Sequence, residues 1–326
     1  MSGLSVLIIG CGNIAGGFDA ERAPDAAPLT HAGAFSEHAG FTLAACVDPD
    51  AQRAQAFAQR WSVARAATSL AELAAAPGDF DVISICSPTA LHPEHLAAAL
   101  ALRPRLIFCE KPVTPTLAQT REWVQACEAA GVLFAINHTR RWAPDVQRLA
   151  AELRAGQWGA VRGVAGQYNK GVLNNGGHMV DLLHALLGEL SVVWAGQPIW
   201  DFWPDDPTVA AVLRGPAGVN VSLNPAHAAD YAYFELQLIT ERGVITMEDG
   251  GMFWRVRRAV DNPHFKGYRS LEAGERQPGE YVLAMRRAVQ NIHAALEHGA
   301  ALESTGHSAM QAQAVCEALK SAALAA

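Results

Sequence analysis

The chain has 326 residues, 50% of them hydrophobic, 17% charged and 7% aromatic, and its 25 basic side chains against 32 acidic ones leave a net charge of -7. At ~100–200 residues per domain this length calls for about two domains with cores of their own, which excludes disordered, collagen-like and disulfide-stapled mini-protein classes. An acidic balance without a basic stripe argues against nucleic acid as a partner, and no run reaches the ~18 uninterrupted apolar residues of a membrane span.

Along the first part of the chain, short apolar runs at Ser5–Ile9, Leu43–Val47, Val82–Cys86, Leu106–Cys109 and Val132–Ile136 read as strands, with Ala-rich helical stretches between them. Near-continuous apolar strands separated by helices predict a doubly wound parallel sheet, an α/β dinucleotide-binding domain over residues 1–139. From 140 to 326 the pattern changes. Helices are expected at Pro144–Leu153 and at Gly177–Leu187, the latter closed by Gly188. Alternating runs at Val209–Leu213, Gly218–Leu223, Tyr231–Thr240, Val244–Glu248 and Met252–Arg257 predict a largely antiparallel sheet with one wet face. Two closing helices follow at Glu280–Glu297 and His307–Ala325, completing an α+β domain for substrate binding and oligomerisation. The tryptophans at 194, 200, 203 and 254 are expected to pack that sheet. Six cysteines stand apart with no Cys-x-x-Cys pair, and Met1–Gly10 has no basic leader segment. Buried thiols in a reducing, cytoplasmic protein are expected.

The first chemical signal is Gly10-Cys11-Gly12-Asn13-Ile14-Ala15 directly after the first strand. A glycine turn opening a helix there presents free backbone N–H groups and the helix dipole to a pyrophosphate, so Gly10, Gly12, Asn13 and Ile14 are expected to bind a dinucleotide. Asp48, closing the second strand, is placed to take the adenosine ribose hydroxyls, and it could also cap the helix that follows. Its distance from the glycines exceeds the typical ~20 residues, and Phe18–Thr30 reads as an inserted loop that accounts for the excess. Asp48 with Asp50 repels a 2′-phosphate and favours NAD, while Arg53 keeps NADP open.

The second signal is Glu110-Lys111-Pro112 at the end of the Leu106–Cys109 strand. At the carboxyl end of a parallel strand Lys111 points into the crevice where such sheets bind ligands, and burial there would let it share a proton near neutral pH. With this motif the sequence resembles the Gfo/Idh/MocA oxidoreductases, named for glucose-fructose oxidoreductase and inositol dehydrogenase. The resemblance extends to Ser87-Pro88-Thr89-Ala90-Leu91-His92, similar to that family's nicotinamide-proximal loop, and to Asn137–Trp142 at the domain crossover. It implies cofactor contacts at Ser87, Pro88, Thr89, His92, Glu110 and Lys111, and Lys111 next to the reacting oxygen.

The third signal is Asn174-Asn175-Gly176-Gly177-His178-Met179-Val180-Asp181. His178 and Asp181, three apart on a helix, share a face, and a carboxylate on one ring nitrogen fixes the tautomer while the other exchanges a proton. The family pattern commonly has Asp where this chain has Asn174; an amide titrates no proton, so Asn174 is assigned to a substrate hydroxyl, with Tyr168 and Arg141 as further substrate contacts. His184 lies about 240° beyond His178 at ~3.6 residues per turn, which argues against a metal site. The function expected is reversible oxidation of a secondary alcohol on a sugar, sugar nucleotide or cyclitol, by a homodimer or homotetramer. An NAD-dependent glycoside hydrolase and a non-catalytic dinucleotide-binding regulator are the alternatives.

Overall fold

The computed structural model describes residues 3–23 and 25–325, so Pro24 of the inserted loop and the extreme ends of the chain lie outside the described residues. It divides into two compact units, one of residues 1–142 with 282–310 and one of 143–281 with 311–326. The expected boundary near 139 therefore marks a crossing that the chain makes more than once, and the helix after 282 belongs with the first unit rather than with 140–326.

In the first unit β1 (Leu4–Ile9), β2 (Phe41–Val47), β3 (Arg65–Ala67), β4 (Val82–Ile85), β5 (Leu106–Cys109) and β6 (Leu133–Ile136) form one parallel sheet in the order β3-β2-β1-β4-β5-β6. That order reverses direction between β1 and β4, the topological switch point of a Rossmann fold. The central strands are near-continuous apolar runs because helices cover both faces, and β4 and β5 are buried along their whole length. Helices α1 (His31–Glu37), α2 (Ala51–Trp61), α3 (Leu70–Leu73), α4 (His92–Ala101) and α5 (Leu117–Ala129) connect them. Four start on a side-chain cap, Thr30, Asp50, Ser69 and Thr116. Leu7, Ile9, Ile83, Ile85, Ile107, Leu96 and Val124 sit in one core cluster, each contributing roughly 1.5–3 kcal/mol by burial.

The second unit opens with α6 (Pro144–Arg154), then β7 (Val161–Tyr168), α7 (Gly176–Leu187), β8 (Ser191–Ile199), β9 (Thr208–Arg214), β10 (Asn220–Pro225), β11 (Phe234–Thr240), β12 (Gly243–Glu248), β13 (Phe253–Asp261), β14 (Arg269–Leu271) and β15 (Arg276–Pro278). The sheet runs β14-β13-β12-β11-β7-β10-β9-β8, with β15 beside β13. It is antiparallel except for β7 and β10, which pair parallel from Val164↔Val221 to Tyr168↔Pro225. Strand β11 alternates buried residues with half-buried or exposed ones, as the pattern predicted, but starts at Phe234 rather than Tyr231. The tryptophan expectation is corrected. Trp254 is buried and donates from Nε1 to Asp145 Oδ2 at 2.8 Å, whereas Trp194, Trp200 and Trp203 are about half exposed because β8 is the sheet edge and 200–203 lie in the loop after it.

Two helices close the chain, α8 (Ala284–His298) and α9 (Gly306–Ala325). The first unit takes up α8 through Trp142 Nε1 donating to Asn291 Oδ1 at 3.0 Å, and the loop after α8 through Ser304 Oγ donating to the Ile136 carbonyl at 2.6 Å.

Candidate active site

The carboxyl ends of β1, β2, β4, β5 and β6 bring Gly10, Asp48, Ser87, Glu110 with Lys111, and Asn137 to one edge of the first sheet. Gly10 has φ +89°, and a Cβ there would stand 2.8 Å from the Ser87 amide nitrogen, so no other residue fits the turn between the two adjacent strands. Around Gly12 nothing lies within 4 Å of where a Cβ would stand, leaving its backbone approachable. Asn13 is exposed and Ile14 half-buried beside it.

The expected helix does not open from this turn. Instead the Gly16 and Gly17 amides donate back to Gly12 O, the chain departs into the loop, and the His31 and Ala32 amides then donate to Ile14 O and Ala15 O at 3.2 and 2.8 Å. The insertion is thus spliced into the first turn of a helix whose hydrogen-bond ladder resumes after it. Asp19 holds the splice. Its buried carboxylate accepts from the Leu29 and Thr30 amides at 3.0 and 3.1 Å and from Thr30 Oγ1 at 2.5 Å, and Thr30 Oγ1 in turn accepts from the Gly33 amide. A Cβ on Gly33 would lie 2.3 Å from Asp19 Oδ2, so glycine is what allows this approach.

Asp48 is 3% exposed, with Oδ2 accepting from the Cys11 amide at 2.9 Å and Oδ1 from the Asp50 amide and from Arg53 Nη1, both at 3.0 Å. The cap of α2 is Asp50, which accepts from the Gln52 and Arg53 amides, so the capping role considered for Asp48 falls two residues later. Arg53 also reaches Asp50 Oδ2, and half of its side chain is exposed.

Ser87 Oγ is 2.7 Å from His95 Nδ1; burial lowers the His95 pKa. His95, half-buried on α4, is the side chain that seats Ser87. Pro88 is exposed and Thr89 half-buried. His92 is corrected: its ring is fully buried, with Nε2 2.8 Å from Ser87 O and Nδ1 3.0 Å from Pro112 O, so it clips two loops together and has no free edge for a cofactor.

Glu110 lies in a buried polar cluster that the sequence reading did not assemble. His31, 0% exposed, places Nε2 2.9 Å from Glu110 Oε1 and Nδ1 2.7 Å from Ser84 Oγ. Asn137 Nδ2 donates to the same Oε1 at 2.6 Å. Burial alone would lower the His31 pKa, but the Cys86 sulfur and the Glu110 carboxylate outweigh it and raise it to about 10. Burial pushes Glu110 up, and the His31 hydrogen bond and charge, Asn137 and the Lys111 charge together bring it below its usual value. Lys111 follows, half-buried, its amide donating to Glu110 Oε2 at 3.3 Å.

In the second unit, Gly171–Asn175 forms a π-helical turn ahead of α7, capped by Lys170 at φ 64° and opened by Gly171 at φ +90°. Two carboxylates hold it: Asp206 accepts from the Leu173 and Asn174 amides, both at 2.9 Å, and Asp201 accepts from the Lys170 amide at 3.0 Å. Burial raises the Asp206 pKa. Asn174 is half-buried, with Nδ2 3.2 Å from Lys170 O. On α7 His178 is half-buried and Asp181 buried. Tyr168 is corrected: it is 0% exposed, and its hydroxyl donates to Val209 O at 2.7 Å and accepts from Val209 N at 3.0 Å. Both capacities of the phenol go to the backbone of β9, which makes it a sheet anchor rather than a substrate contact. Arg141, in the 3₁₀ turn Thr139–Trp142, is half-buried. Among the described residues no group of His, Cys, Asp and Glu is arranged to hold a metal ion, and no helix is long and apolar enough to cross a membrane.

Residues 4–138 match the oxidoreductase family with an NAD-binding Rossmann fold, GFO_IDH_MocA. Through this part the chain is similar to the Gfo/Idh/MocA oxidoreductases. It is 30% identical over 211 residues to trans-1,2-dihydrobenzene-1,2-diol dehydrogenase of Bos taurus, covering 57% of this chain and 59% of that protein. The chain thus spans about three fifths of that relative's length, and shorter parts of the D-apiose dehydrogenase of Paraburkholderia graminis and of other curated relatives. The whole fold resembles that of the WlbA dehydrogenase of Bordetella pertussis, solved with NADH and UDP-GlcNAcA (TM-score 0.78, 18% identity, 99% and 96% of the two chains). It also resembles that of a 3-ketoreductase from Actinomadura kijaniata solved with NADP (TM-score 0.76, 17% identity, 98% and 97%).

Proposed function

We propose that the protein is an NAD(P)-dependent dehydrogenase or reductase that interconverts a secondary alcohol and a ketone on a sugar, sugar nucleotide or cyclitol. The observation that carries this reading is the row at the strand ends of the first unit: a turn that only glycine permits, a buried acid just past β2, and a lysine two residues past β5. The open backbone at Gly12 fits a dinucleotide, which the Gly10–Ile14 turn, Asp48 and the Ser87–Thr89 loop would hold. When bound, that cofactor supplies a hydride acceptor or donor.

Lys111 would exchange the hydroxyl proton, with His178 taking part and Asp181 orienting its imidazole. Asn174 and Arg141 would hydrogen-bond substrate hydroxyls. NAD is the expected cofactor, since Asp48 and Asp50 repel a 2′-phosphate. The test is absorbance at the NADH band across a panel of sugars, cyclitols and nucleotide sugars, with the Lys111→Met protein in parallel. Turnover that falls ~10²–10⁴-fold in the variant, with dinucleotide binding largely retained, supports the reading. No turnover on any member of the panel, or full activity without Lys111, would overturn it.

A further inference from the structure

The buried cluster behind Glu110 has no place in the proton transfer just described, yet it is built from three strand ends and the start of α1. We propose that His31 is a positioning residue for Lys111: seated by the Asp19 and Thr30 contacts of the inserted loop, its ring holds the Glu110 carboxylate and through it fixes the geometry and charge around Lys111. This rests on the function proposed above only insofar as Lys111 is the proton-transfer group.

The physical case is one of competition for a carboxylate. Glu110 and Lys111 are adjacent residues, so a Glu110 side chain left without other partners is an acceptor within reach of the Lys111 ammonium, and charge-assisted pairs of this kind are strong. Here Glu110 Oε1 is taken by His31 Nε2 at 2.9 Å and by Asn137 Nδ2 at 2.6 Å, and Oε2 is turned to the Lys111 amide. The ring itself is locked from every side. Ser84 Oγ stands at Nδ1, the Phe108 ring lies with its centroid 4.4 Å away, and Cys86 follows on the same strand end. Against the cost of burying a histidine, such full partnering is what allows the group to remain. It also gives the insertion a purpose. A loop cut into the first turn of α1 would free that helix to shift, and Asp19 ties its far end back so that His31 returns to register with Ile14.

The test reads Lys111 directly. Labelling with a limiting amine reagent across pH, followed by peptide mass spectrometry, reports the Lys111 ionisation midpoint without requiring turnover. In Glu110→Gln the midpoint falls, because a negative charge beside the ammonium is lost. In His31→Gln it rises by at least half a pH unit, because Glu110 then has Lys111 as its main cationic neighbour. Thr30→Ala, which leaves every ring contact in place but loosens the seat, shifts it in the same direction by less and serves if His31→Gln does not fold. With a substrate in hand, His31→Gln lowers kcat tenfold or more while KM for the dinucleotide changes by less than threefold. Unchanged midpoints in folded His31→Gln and Thr30→Ala proteins would overturn the proposal even if the enzyme is active; shifted midpoints in a protein that oxidises no sugar would leave it standing and count against the function alone.

Discussion

A buried imidazole that carries a proton ties stability to pH, and position 31 does so in a direction opposite to an ordinary buried histidine. With its pKa raised from 6.5 to about 10, His31 contributes stability that is fully present below 6.5 and is lost as pH rises through about 10. Glu110, lowered from 4.5, contributes stability that is present above that value and fades as pH falls through its folded pKa. The unmodified protein should therefore lose thermal stability between pH 6.5 and 10, and His31→Gln should be less stable at pH 6 with a flatter decline. Removing one partner of a buried pair typically costs about 3–5 kcal/mol. Parallel melting curves for the two proteins over this range would refute the charged pair. Asp48 offers a second residue-scale outcome. Since Arg53 already neutralises Oδ1, Asp48→Ala should free that guanidinium and narrow the preference for NAD over NADP by tenfold or more in calorimetric titration; equal affinities in the unmodified protein would defeat the assignment.

At the scale of elements, the π-helical turn before α7 places Asn174 through its backbone, since Asp206 accepts the amides of both Leu173 and Asn174. Asn174→Ala should raise substrate KM with little change in kcat, and Asp206→Ala should raise it further because the whole turn is released. A collapse of kcat in Asn174→Ala at constant KM would contradict a recognition role. This turn also shows what sequence does not disclose. The alternating strands β9 to β13 and the parallel run of the first unit were legible because burial imposes a period on side chains. β7 was not: Gly163, Ala165 and Gly166 blunt its alternation, and Gly166 is small because Met179 of α7 and Leu223 of β10 close on it, at 3.0 and 3.1 Å from where a Cβ would stand. The positions of Lys111, Asp48 and the glycine turn at strand ends were legible from the sequence. His31 was not, because its partners Ser84, Glu110 and Asn137 lie 53, 79 and 106 residues away in the chain, and the single local hint was Thr30, a helix cap in front of it. His92 and Tyr168 were placed in the right loops and strands, but their rings proved to be joints of the scaffold.

For the molecule as a whole, the discontinuous first unit makes a prediction about fragments. Residues 1–142 contain all six strands of the parallel sheet but lack α8, which brings Asn291 to Trp142 and Arg286 to Glu37, the latter at 2.7 Å. A 1–142 fragment should unfold at lower urea than the dinucleotide-binding unit within the full chain, and dinucleotide should stabilise it less; identical midpoints would show that 282–310 is dispensable to the unit. The same discontinuity bears on synthesis. A ribosome finishes the last strand of the parallel sheet early, at Ile136, yet must deliver everything from 143 to 281 before the partners of Ile136, Trp142 and Glu37 emerge. At roughly 5–20 residues per second, the nascent first half waits about 7 to 28 seconds with its closing helix still unmade. Messages truncated in that interval yield products in which the glycine turn is already encoded but its unit is unfinished, so completion of the first unit is coupled to translation through residue 310.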